Sequence, residues 1–379
     1  MQKEHKVFYY TGMKRVDDAV IAVGLSGGVD SSVALYLLQQ KYSHIVGASH
    51  DICTDSLTCN EETLGRARLI AERLDVPYYR FDLISEFSQA VIDDFTDEYA
   101  RGRTPNPCVR CNERIRFNLF YQRCMDQLLH DGTLDAQKAF LFATGHYARI
   151  APYQGSLVIQ KGKDLEKDQS YMLYRITKEH LPSIRFPLGE YTKREIIAIA
   201  KREGFPISGV RESQDICFIP GKYIDKLIEV FGEEQVTHAG DIVDEEGHIL
   251  GRHRGYMHYT IGQRQGLGLS DGPWYVKYLD AEENTVVVGR KDDLLNNEFT
   301  IRDTNWFVPP EYVQELSDQG ILSVKIRYNS PEQSCLIRED RDLLHTVVTN
   351  PTSITPGQSA VYYDGEYLLG GGIIDTIIS

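Results

Sequence analysis

One short segment of the chain sets two thiols three residues apart. The segment TPNPCVRCN places two prolines before Cys108 and Cys111, and a residue that precedes a proline is restricted to extended backbone. We expect a helix to follow, with Cys111 near its N-terminus. Three arginines surround this cysteine in sequence: Arg110, Arg114 and Arg116. Helix N-termini and nearby cations lower a thiol pKa, so the pattern favours a reactive thiolate, although a CxxC at a helix start is also the shape of a redox pair.

A third cysteine of interest lies in the second half of the chain. The segment ESQDICFI holds Cys217 between polar and apolar neighbours; taken alone, such a cysteine is more often a small buried apolar residue. The chain has seven cysteines, an odd number that disfavours a disulfide framework and favours reduced thiols. Cys124 lies in a helical apolar pattern, which predicts a core position. The sequence gives no role to Cys53, Cys59 and Cys335.

A glycine- and serine-rich segment follows the first predicted strand. The apolar run Ala19–Leu25 leads through SGGVDSS directly into a predicted helix. Glycines let the backbone approach a ligand, and the free amides of a helix N-terminus, together with serine hydroxyls, can hold phosphate. Asp30 cannot bind phosphate itself, but it could bind a Mg²⁺ ion. The spacing matches neither GxxxxGKS/T nor GxGxxG, so a Walker-type NTPase and a dinucleotide oxidoreductase are both disfavoured.

Alternating strands and helices make up the first half of the chain. Strands are predicted at residues 19–25, 44–49, 77–83 and 139–145, and helices at residues 31–40, 61–74 and 193–203, with a long helical stretch after residue 112. This alternation predicts an α/β fold, a doubly wound parallel sheet with helices on both faces. The phosphate loop would lie at the carboxyl end of the first strand, where such sheets bind ligands.

The second half of the chain changes character after about Asp241. Short strands with turn residues, such as VDEEGHIL and VYYDGEYLLGG, predict hairpins and an all-β module, and a helix is predicted before them at residues 222–231. A chain of 379 residues exceeds the usual size of a single core. We therefore expect three domains: a catalytic α/β domain over residues 1–221, a small central domain over residues 222–290 and an all-β barrel over residues 291–379.

The composition is that of an ordinary globular protein with an acidic balance. The chain carries a net charge of −14, and 42% of its residues are hydrophobic. This balance excludes a protein that coats nucleic acid or anionic membrane nonspecifically, since phosphate contacts need Lys and Arg. The sequence shows neither the apolar core of a signal peptide nor an apolar run long enough to span a bilayer. We expect a cytoplasmic protein without a membrane partner.

Seven motifs carry a resemblance to a known family. SGGVDSS resembles the pyrophosphate loop of ATP pyrophosphatases, so we expect the chain to use ATP. In order, the motifs are SGGVDSS, TPNPCVRCN, ATGHYA, KDQSY, ESQDICFI, HRGYMHYTIGQRQGLG and TPGQSAVYY. This is the order of the bacterial tRNA-specific 2-thiouridylase family, and the match runs from about residue 19 to the C-terminus. The resemblance implies an adenine nucleotide alpha-hydrolase-like first domain, a central domain that binds tRNA and a C-terminal β-barrel.

The resemblance also implies a reaction. Enzymes of this family replace the 2-oxygen of the wobble uridine (U34) of certain tRNAs with sulfur. ATP would adenylate that oxygen, releasing pyrophosphate and making AMP the leaving group. Cys217 would carry the incoming sulfur as a persulfide, and Cys111 would attack it to release the sulfur or to form a transient disulfide with Cys217. The sulfur would come from a donor protein such as a cysteine desulfurase or a sulfur relay carrier.

The family's binding positions carry over to this sequence residue by residue. The expected ATP site comprises Gly24, Leu25, Ser26, Gly27, Gly28, Val29, Asp30, Ser31 and Gly145, with His50 where the family has a Met-containing segment. The expected tRNA contacts are Asn106, Pro107, Cys108, His146, Lys167, Asp168, Gln169, Arg327, Tyr328 and Gln358. A base must leave the anticodon stack to be modified, so a pocket fed by several domains is expected.

Cys108 departs from the family pattern NPDxxCN, which has Asp at this place. Cys108, Cys111 and Cys217 therefore form a potential three-thiolate set, which suits a 4Fe-4S cluster or a metal ion. Two routes for sulfur stay open at this point. In one, a persulfide forms and Cys108 is a bystander; in the other, a cluster holds the sulfide.

Two other functions compete with tRNA thiolation. Another pyrophosphate-loop ATP-dependent ligase, such as an amidating synthetase, would not need the cysteines and would need an ammonia source that the sequence does not show. A tRNA-binding homologue without catalysis would need neither the intact loop nor the three cysteines. Both alternatives therefore leave motifs unexplained.

The charge is unevenly spread along the chain. Residues 101–116 carry five Arg against one acid, and residues 251–264 carry three Arg and two His with no acid. Residues 231–250, by contrast, hold six acids and no Lys or Arg. The counts predict a basic track near the cysteines and salt-sensitive tRNA binding confined to one face.

Overall fold

The structure is a computed structural model that describes residues 16–52, 60–205, 216–219, 221–340 and 343–378. Cys53, Cys59 and residues 212–215 of the ESQDICFI motif lie outside the described residues. None of the described helices is long and apolar enough to cross a membrane.

The first part of the chain forms a parallel α/β layer. Its strands are β1 (Val16–Gly24), β2 (Tyr42–Asp51), β3 (Tyr78–Asp82), β4 (Ala139–Ala143), β5 (Ala148–Tyr153), β6 (Ser156–Lys161) and β7 (Ile184–Arg185). Its α-helices are α1 (Val29–Gln39), α2 (Glu61–Arg73), α3 (Ile84–Phe87), α4 (Asp93–Ala100), α5 (Pro107–Arg110), α6 (Tyr121–His130) and α7 (Lys193–Arg202). A parallel sheet has the strand order β3-β2-β1-β4-β7. The predicted doubly wound sheet is confirmed.

Strand β1 lies at the centre of this sheet because it is apolar on both faces. Val20 and Ala22 belong to one core, and Ile21 and Val23 belong to another, since successive side chains of a strand point to opposite faces. All four side chains are fully buried. The second core also contains residues of α1, α2 and α7, so these helices cover that face of the sheet.

Two long helical stretches cover the other face. In the first, α3 continues through the π-helical segment Ser88–Ile92 into α4. In the second, α5 continues through the π-helical segment Cys111–Phe120 into α6. We call this second stretch, residues 107–130, the cysteine helix because it carries both thiols of the TPNPCVRCN motif. π-Helical turns are rare and frequently occur at functional sites.

A small mixed unit follows the α/β layer. It comprises α8 (Tyr223–Phe231), α9 (Glu233–Val236), β8 (Gly240–Val243), β9 (Ile249–His253), β10 (Tyr275–Asp280) and β11 (Thr285–Gly289), with a 3-10 turn at Tyr256–His258. The strand order is β10-β11-β8-β9, with β11 and β8 parallel and the outer pairs antiparallel. The predicted VDEEGHIL hairpin is the antiparallel pair of β8 and β9.

The last part of the chain closes into a barrel. Its elements are β12 (Leu295–Trp306), α10 (Pro310–Asp318), β13 (Ser323–Lys325), β14 (Gln333–Asp340), β15 (Leu343–Ser353), β16 (Ser359–Asp364) and β17 (Tyr367–Ile378). Six strands follow the order β12-β15-β14-β13-β16-β17, and β12 also pairs with β17, which closes the ring. The predicted C-terminal β-barrel is confirmed.

The barrel sheet extends into the first part of the chain. The β5–β6 hairpin joins the start of β17 through the pairs Gln160 with Tyr367 and Ile159 with Leu368. One core spans both regions and includes the buried side chains of Phe117 and Tyr362. The division at residues 221 and 290 stays a prediction, and in space the hairpin belongs to the barrel sheet.

Candidate active site

The phosphate loop between β1 and α1 is held in shape by its own serines. The Ser26 amide donates to Ser31 Oγ at 3.2 Å, and the Gly28 amide donates to Ser26 Oγ at 3.4 Å. The Ser31 and Ser32 hydroxyls both donate to the Gly28 carbonyl, at 3.1 and 2.9 Å. Gly28 precedes α1 and has no side chain to cap it, so the first amides of the helix are available to an anion.

Two glycines bring other elements against this loop. Gly27 has φ +71, and a Cβ there would lie 2.0 Å from the Thr63 carbonyl oxygen of α2. Only glycine fits that position, because both the backbone conformation and the close approach exclude a side chain. A Cβ on Gly145, two residues after β4, would lie 3.0 Å from backbone atoms of Asp30 and Ser31. Gly145 therefore lies beside the loop, next to the expected ATP site.

Asp30 already has a cationic partner. Lys193 Nζ lies 2.9 and 2.8 Å from its two carboxylate oxygens, and the Tyr147 hydroxyl donates to Oδ1 at 2.8 Å. Lys193 is placed by the capping box of α7, in which Thr192 and Glu195 bond reciprocally. With both oxygens engaged by an ammonium, Asp30 does not fit the role of a Mg²⁺ ligand in this conformation.

The cysteine helix begins earlier than the sequence predicts. Asn106 is the N-cap residue, with its side chain accepting from the Val109 amide at 3.4 Å, and Pro107 is the first helical residue. Cys108 therefore lies in the first turn and Cys111 one turn further in. Cys111 thus lies near the N-terminus of the helix, as expected, although Pro107 starts the helix four residues before it.

The thiol environment also differs from the expectation. Cys111 is buried, and this burial raises the pKa of its thiol, although the Arg116 guanidinium acts in the opposite direction. Cys108 is exposed, but protein atoms around it still desolvate the thiol; this effect and the nearby Cys111 raise its pKa to about 11 against the charge of Arg116. The predicted lowering of the Cys111 pKa is wrong, because desolvation outweighs the positive charge.

Two of the three arginines near the cysteines are committed to ion pairs. Arg110 contacts Asp94 at 3.3 Å and Glu113 at 3.0 Å, and Arg114 contacts Asp94 at 3.3 Å. These carboxylates neutralise much of the positive charge that the local sequence suggests. The exception is Arg116.

Cys217 is anchored by its hydrophobic neighbours. Phe218 is buried and packs edge-on against Phe87 and Phe95, with ring centroids 5.6 and 5.4 Å apart. Cys217 is partly exposed and packs against the same core that contains Cys111. The two cysteine segments thus contact the same hydrophobic core. Cys124 and Cys335 are buried, which confirms the core position predicted for Cys124.

The barrel contacts residues 104–106, just before the cysteine helix, through the TPGQ turn at residues 355–358, and we call residues 104–106 the cysteine loop. Gln358 Nε2 donates to the carbonyls of Thr104 and Pro105 at 2.8 and 3.3 Å. The Thr104 amide donates to the Pro356 carbonyl at 3.0 Å. Two motifs that are far apart in sequence are therefore hydrogen-bonded to each other. Gln358, which is expected to contact tRNA, also positions the backbone before Asn106.

Other expected tRNA residues stabilise a turn beside Cys108. Asp168 accepts from the Gly162 amide at 2.9 Å and from the Ser170 hydroxyl at 2.7 Å. The Tyr328 hydroxyl donates to the Asp168 carbonyl at 3.1 Å; burial and then the Asp168 carboxylate raise the pKa of Tyr328, and the Cys108 thiol adds a smaller effect in the same direction. The structure thus brings Asp168 and Tyr328 together.

The remaining expected tRNA residues surround the same region. Gln169 Oε1 accepts from the Tyr147 amide at 3.0 Å, and the Lys167 amide donates to the Asp164 carbonyl at 3.0 Å. Arg327 donates to the side chains of Ser353 and Thr355 within the barrel. Each of these groups has a structural partner, and their tRNA contacts stay predictions.

The two histidines of the candidate site are held neutral by burial. His50 stacks on Phe120 with centroids 4.4 Å apart, and His146 lies near Phe117 and bonds through Nδ1 with the Thr144 hydroxyl at 2.7 Å. Burial, with the charge of Arg116, lowers the pKa of each histidine to about 3. The ATP contact of His50 and the tRNA contact of His146 stay predictions.

The three cysteines do not form a compact ion site. Among the described residues, the ligand atoms of Asp244, Glu246 and His248 lie within 4.8 Å of one another, on an exposed hairpin; the cysteines do not form such a group. A 4Fe-4S cluster binds its thiolates through different irons, so the donor set of three thiols around one core remains chemically suited to it. A single metal ion is disfavoured.

Sequence reasoning missed several residues that the fold places at the loop. Lys193 and Tyr147 hold Asp30, and Arg66 Nε donates to the Gly27 carbonyl at 3.3 Å. The capping pattern T-x-x-E at residues 192–195 predicts the start of α7, but no local pattern predicts that the lysine inside it reaches the loop. Only the packing of α7 beside α1 brings it there.

Family models match three parts of the chain. Residues 19–221 match the tRNA methyl transferase HUP domain, residues 229–290 the tRNA methyl transferase PRC-barrel domain and residues 296–374 the aminomethyltransferase beta-barrel domain. The three matches follow the order of the α/β layer, the small mixed unit and the barrel.

Curated relatives match almost the whole chain. The tRNA-specific 2-thiouridylase MnmA 1 of Caldanaerobacter subterraneus subsp. tengcongensis is 38% identical over 372 residues, covering 94% of this chain and 97% of the relative. MnmA 2 of the same organism is 39% identical over 370 residues with the same coverage. A solved structure, the U34-tRNA thiolase NcsA from Methanococcus maripaludis with its 4Fe-4S cluster, is 15% identical and covers 59% of this chain and 68% of that chain, with a TM-score of 0.33.

The relatives and the family models carry different names. The models are described by methyl transfer and the relatives by thiolation. The pyrophosphate loop and the cysteine motifs are the groups that ATP-dependent sulfur transfer needs, so the residues agree with the relatives. The alternative of an amidating ligase is set aside, because relatives matched over nearly their full length are named 2-thiouridylases.

Proposed function

The chain belongs to the tRNA-specific 2-thiouridylase family, and we propose that it replaces the 2-oxygen of the wobble uridine of tRNA with sulfur. As an enzyme of ATP-dependent tRNA uridine thiolation it is a tRNA sulfurtransferase. The position of the uridine, the fate of ATP and the route of the sulfur are parts of the proposal.

One observation supports it most strongly. The cysteine helix carries Cys108 and Cys111 in its first turns and, further along, Phe120, whose ring would lie 3.5 Å from a Cβ on Gly24 at the phosphate loop. A single rigid element therefore links the nucleotide loop to the thiols. An enzyme that first activates an oxygen with ATP and then replaces it with sulfur needs these two sites side by side.

The first step uses the loop. The amides at the start of α1 and the hydroxyls of Ser26 and Ser31 would hold the phosphates of ATP. The uridine 2-oxygen would attack the α-phosphorus, and pyrophosphate would leave. Because Lys193 occupies the oxygens of Asp30, a Mg²⁺ ion that accompanies ATP would find its ligands on the phosphates and water.

The second step uses the cysteines. A persulfide on Cys217 would attack C2 of the adenylated uridine, and AMP would leave. Cys111 would then attack the inner sulfur of Cys217, breaking the sulfur–sulfur bond and leaving a disulfide that a reductant must reopen. If a 4Fe-4S cluster is bound, Cys108, Cys111 and Cys217 would hold it, and its open iron would supply sulfide in place of the persulfide.

The partners follow from the chemistry. The tRNA would lie against the cysteine loop, the Asp168 turn and the barrel, where Gln358 bonds to that loop and Tyr328 to that turn. The sulfur would come from a donor protein such as a cysteine desulfurase or a relay carrier, and a tRNA substrate would place the reaction in the cytoplasm.

The central test is a reconstituted reaction. The purified chain is incubated with unmodified tRNA, ATP and a cysteine desulfurase with cysteine, and nucleosides are analysed by mass spectrometry. We expect 2-thiouridine at position 34 and one pyrophosphate for each sulfur. A tRNA with cytidine at position 34 should gain none. Thiolation of that control, or none of the uridine tRNA, would contradict the proposal.

A second measurement separates the two sulfur routes. The protein is purified anaerobically and its iron and sulfide are measured together with its thiolation activity. Full activity without iron would exclude the cluster route. Activity that rises with iron and sulfide content would exclude Cys108 as a bystander and support a three-cysteine cluster.

A further inference from the structure

Among the described residues, Arg116 differs from the other arginines of the cysteine helix in having no carboxylate partner. Arg110 and Arg114 each pair with Asp94. Within the described ranges no acidic side chain forms an ion pair with Arg116, whose Nη1 donates instead to Asn112 Oδ1 at 2.7 Å. A half-buried cation loses hydration that an anion would normally offset. The site is therefore prepared for an anionic ligand.

The position of Arg116 on the helix is equally informative. Cys108, Asn112, Arg116 and Phe120 recur every four residues, so they lie along one face of the cysteine helix. Phe120 lies at the end of this face that is nearest the phosphate loop, where it packs near Gly24 and stacks on His50. Arg116 thus lies between the loop contact at one end of this face and the first thiol at the other.

The charge of Arg116 reaches groups on several elements around this face. Burial lowers the pKa of His50, on β2, and of His146, after β4, and the guanidinium lowers both further. The same guanidinium acts on Cys108 and Cys111. Arg116 is therefore close to residues from the nucleotide side and from the thiol side at once.

We propose that Arg116 binds the phosphate of the adenylated uridine and stabilises AMP as it leaves. The inference rests on the proposed function and assigns to this side chain the step in which sulfur replaces oxygen. It makes Arg116 a catalytic residue that neither its motif nor its neighbours in sequence identify.

The chemistry of that step calls for a cation at this place. The bond from sulfur to C2 forms while the bond from C2 to the former uridine oxygen breaks. That oxygen and the electron pair leave on AMP, so negative charge grows on the phosphate. A guanidinium offers two parallel N–H donors to phosphate oxygens and stabilises this charge more in the transition state than before it.

The test separates the two chemical steps. Arg116→Gln is assayed for 2-thiouridine and for transfer of label from α-³²P-ATP to tRNA. We expect thiolation to fall about 100-fold to 1000-fold, the size of effect seen when one stabilising donor is removed. Pyrophosphate release should fall by less than about tenfold, so labelled adenylated tRNA accumulates.

Two further variants make the result specific. Arg116→Lys keeps the charge but loses the planar fork, so it should recover part of the thiolation rate. Arg114→Gln, on the same helix but paired with Asp94, is the matched control and should leave both steps within about threefold of wild type. Thermal unfolding of all three variants identifies any general loss of structure.

Three outcomes would overturn the assignment. Arg116→Gln could thiolate at the wild-type rate, it could lose both steps equally, or Arg116→Lys could be no better than Arg116→Gln. A wild-type protein that forms neither 2-thiouridine nor pyrophosphate contradicts the proposed function as well, whereas an active wild type with an equally active Arg116→Gln overturns only the role of Arg116.

Discussion

The phosphate loop and the start of the cysteine helix are stabilised in different ways. Within the loop, Ser26, Ser31 and Ser32 bond to backbone and to each other over at most five residues. The segment before Cys108 is held by Gln358 and Pro356, from a barrel more than two hundred residues away in sequence. The difference teaches that the serine bonds which shape the nucleotide loop are local, whereas the backbone before the thiols is held by a distant part of the chain.

The same contrast applies to charge. At the phosphate loop, Arg66 bonds to the Gly27 carbonyl, and Lys193 pairs with the carboxylate of Asp30. At the cysteine helix, the arginines of residues 101–116 meet acids from other elements, as when Arg103 contacts Asp375 at 3.0 Å. The basic track counted from the sequence is therefore largely neutralised there, and Arg116 is the arginine of that helix for which the described part of the chain supplies no carboxylate partner.

The largest effect is expected from Cys217→Ser, which removes one thiol of the candidate site and leaves the phosphate loop unchanged. Serine cannot carry a persulfide or bind iron as thiolate does, so thiolation should fall by at least about 1000-fold. Binding of ATP and tRNA should stay within a few-fold of wild type, because the loop is unchanged. Cys124→Ala removes a buried thiol elsewhere in the core and should remain active. Persistent thiolation by Cys217→Ser would show that the sulfur assignment is wrong.

Gly27→Ala breaks the loop side and leaves the thiols in place. A Cβ at φ +71 and 2.0 Å from the Thr63 carbonyl forces the loop away from α2, so the free energy of unfolding should fall by about 3 kcal/mol. Gly28→Ala is the matched control: it has ordinary φ and its nearest contact is Ser26 Oγ at 3.4 Å. Urea unfolding measures the free energy of unfolding of both variants. Equal stability of the two variants would contradict the close packing of Gly27 against α2.

His50 tests the junction of the two regions through pH. Burial lowers its pKa from 6.5 to about 3, so the unfolded chain takes up a proton that the folded chain refuses. Stability is fully present above pH 6.5 and is lost as the pH falls towards 3. At pH 5 the loss should be about 2 kcal/mol relative to pH 8.

His50→Phe keeps a ring for stacking on Phe120 and removes the titration. Its unfolding free energy should depend less on pH between 8 and 5, as measured by urea unfolding at both values. His248→Phe is the control, since His248 is exposed on the β8–β9 hairpin. If the unfolding free energy of wild type and of His50→Phe depended identically on pH, His50 would not be a buried histidine that stays neutral in the folded chain.

Lys193→Met tests the cationic partner of Asp30 and should have the smallest effect. Methionine keeps much of the side-chain length but leaves the Asp30 carboxylate beside the phosphate site without a countercharge. ATP should bind about tenfold more weakly, and stability should fall by about 1 kcal/mol, since the pair is only partly exposed. Lys163→Met is the control, because the ion pair of Lys163 with Glu195 is half exposed. It should change neither the ATP affinity nor the stability. The ATP affinity of both variants is measured by calorimetry. An unchanged affinity in Lys193→Met would show that the Asp30 carboxylate does not act on the bound phosphates.

Much of the first domain could be predicted because its signals are local. The runs at residues 19–25 and 61–74 match β1 and α2, and the turn residues Asp364 and Gly365 join β16 to β17 as expected. The β5–β6 hairpin was not predicted to join the barrel. Its pairing with Tyr367 is a contact between distant segments, and strand partners of that kind have no signature within either strand.

The sequence alone determined the family, the order of folds, the phosphate loop and the cysteines, because glycine spacing, apolar periodicity and motif order are properties of neighbouring residues. The tertiary structure decided which charges are neutralised, where the cysteine helix meets the barrel, and how burial sets the thiol pKa values. Desolvation and ion pairing depend on every atom around a group, and most of those atoms come from other parts of the chain. Arg110 and Arg116 look equivalent in sequence, yet the fold surrounds Arg110 with three carboxylates, whereas none of the described acidic residues pairs with Arg116.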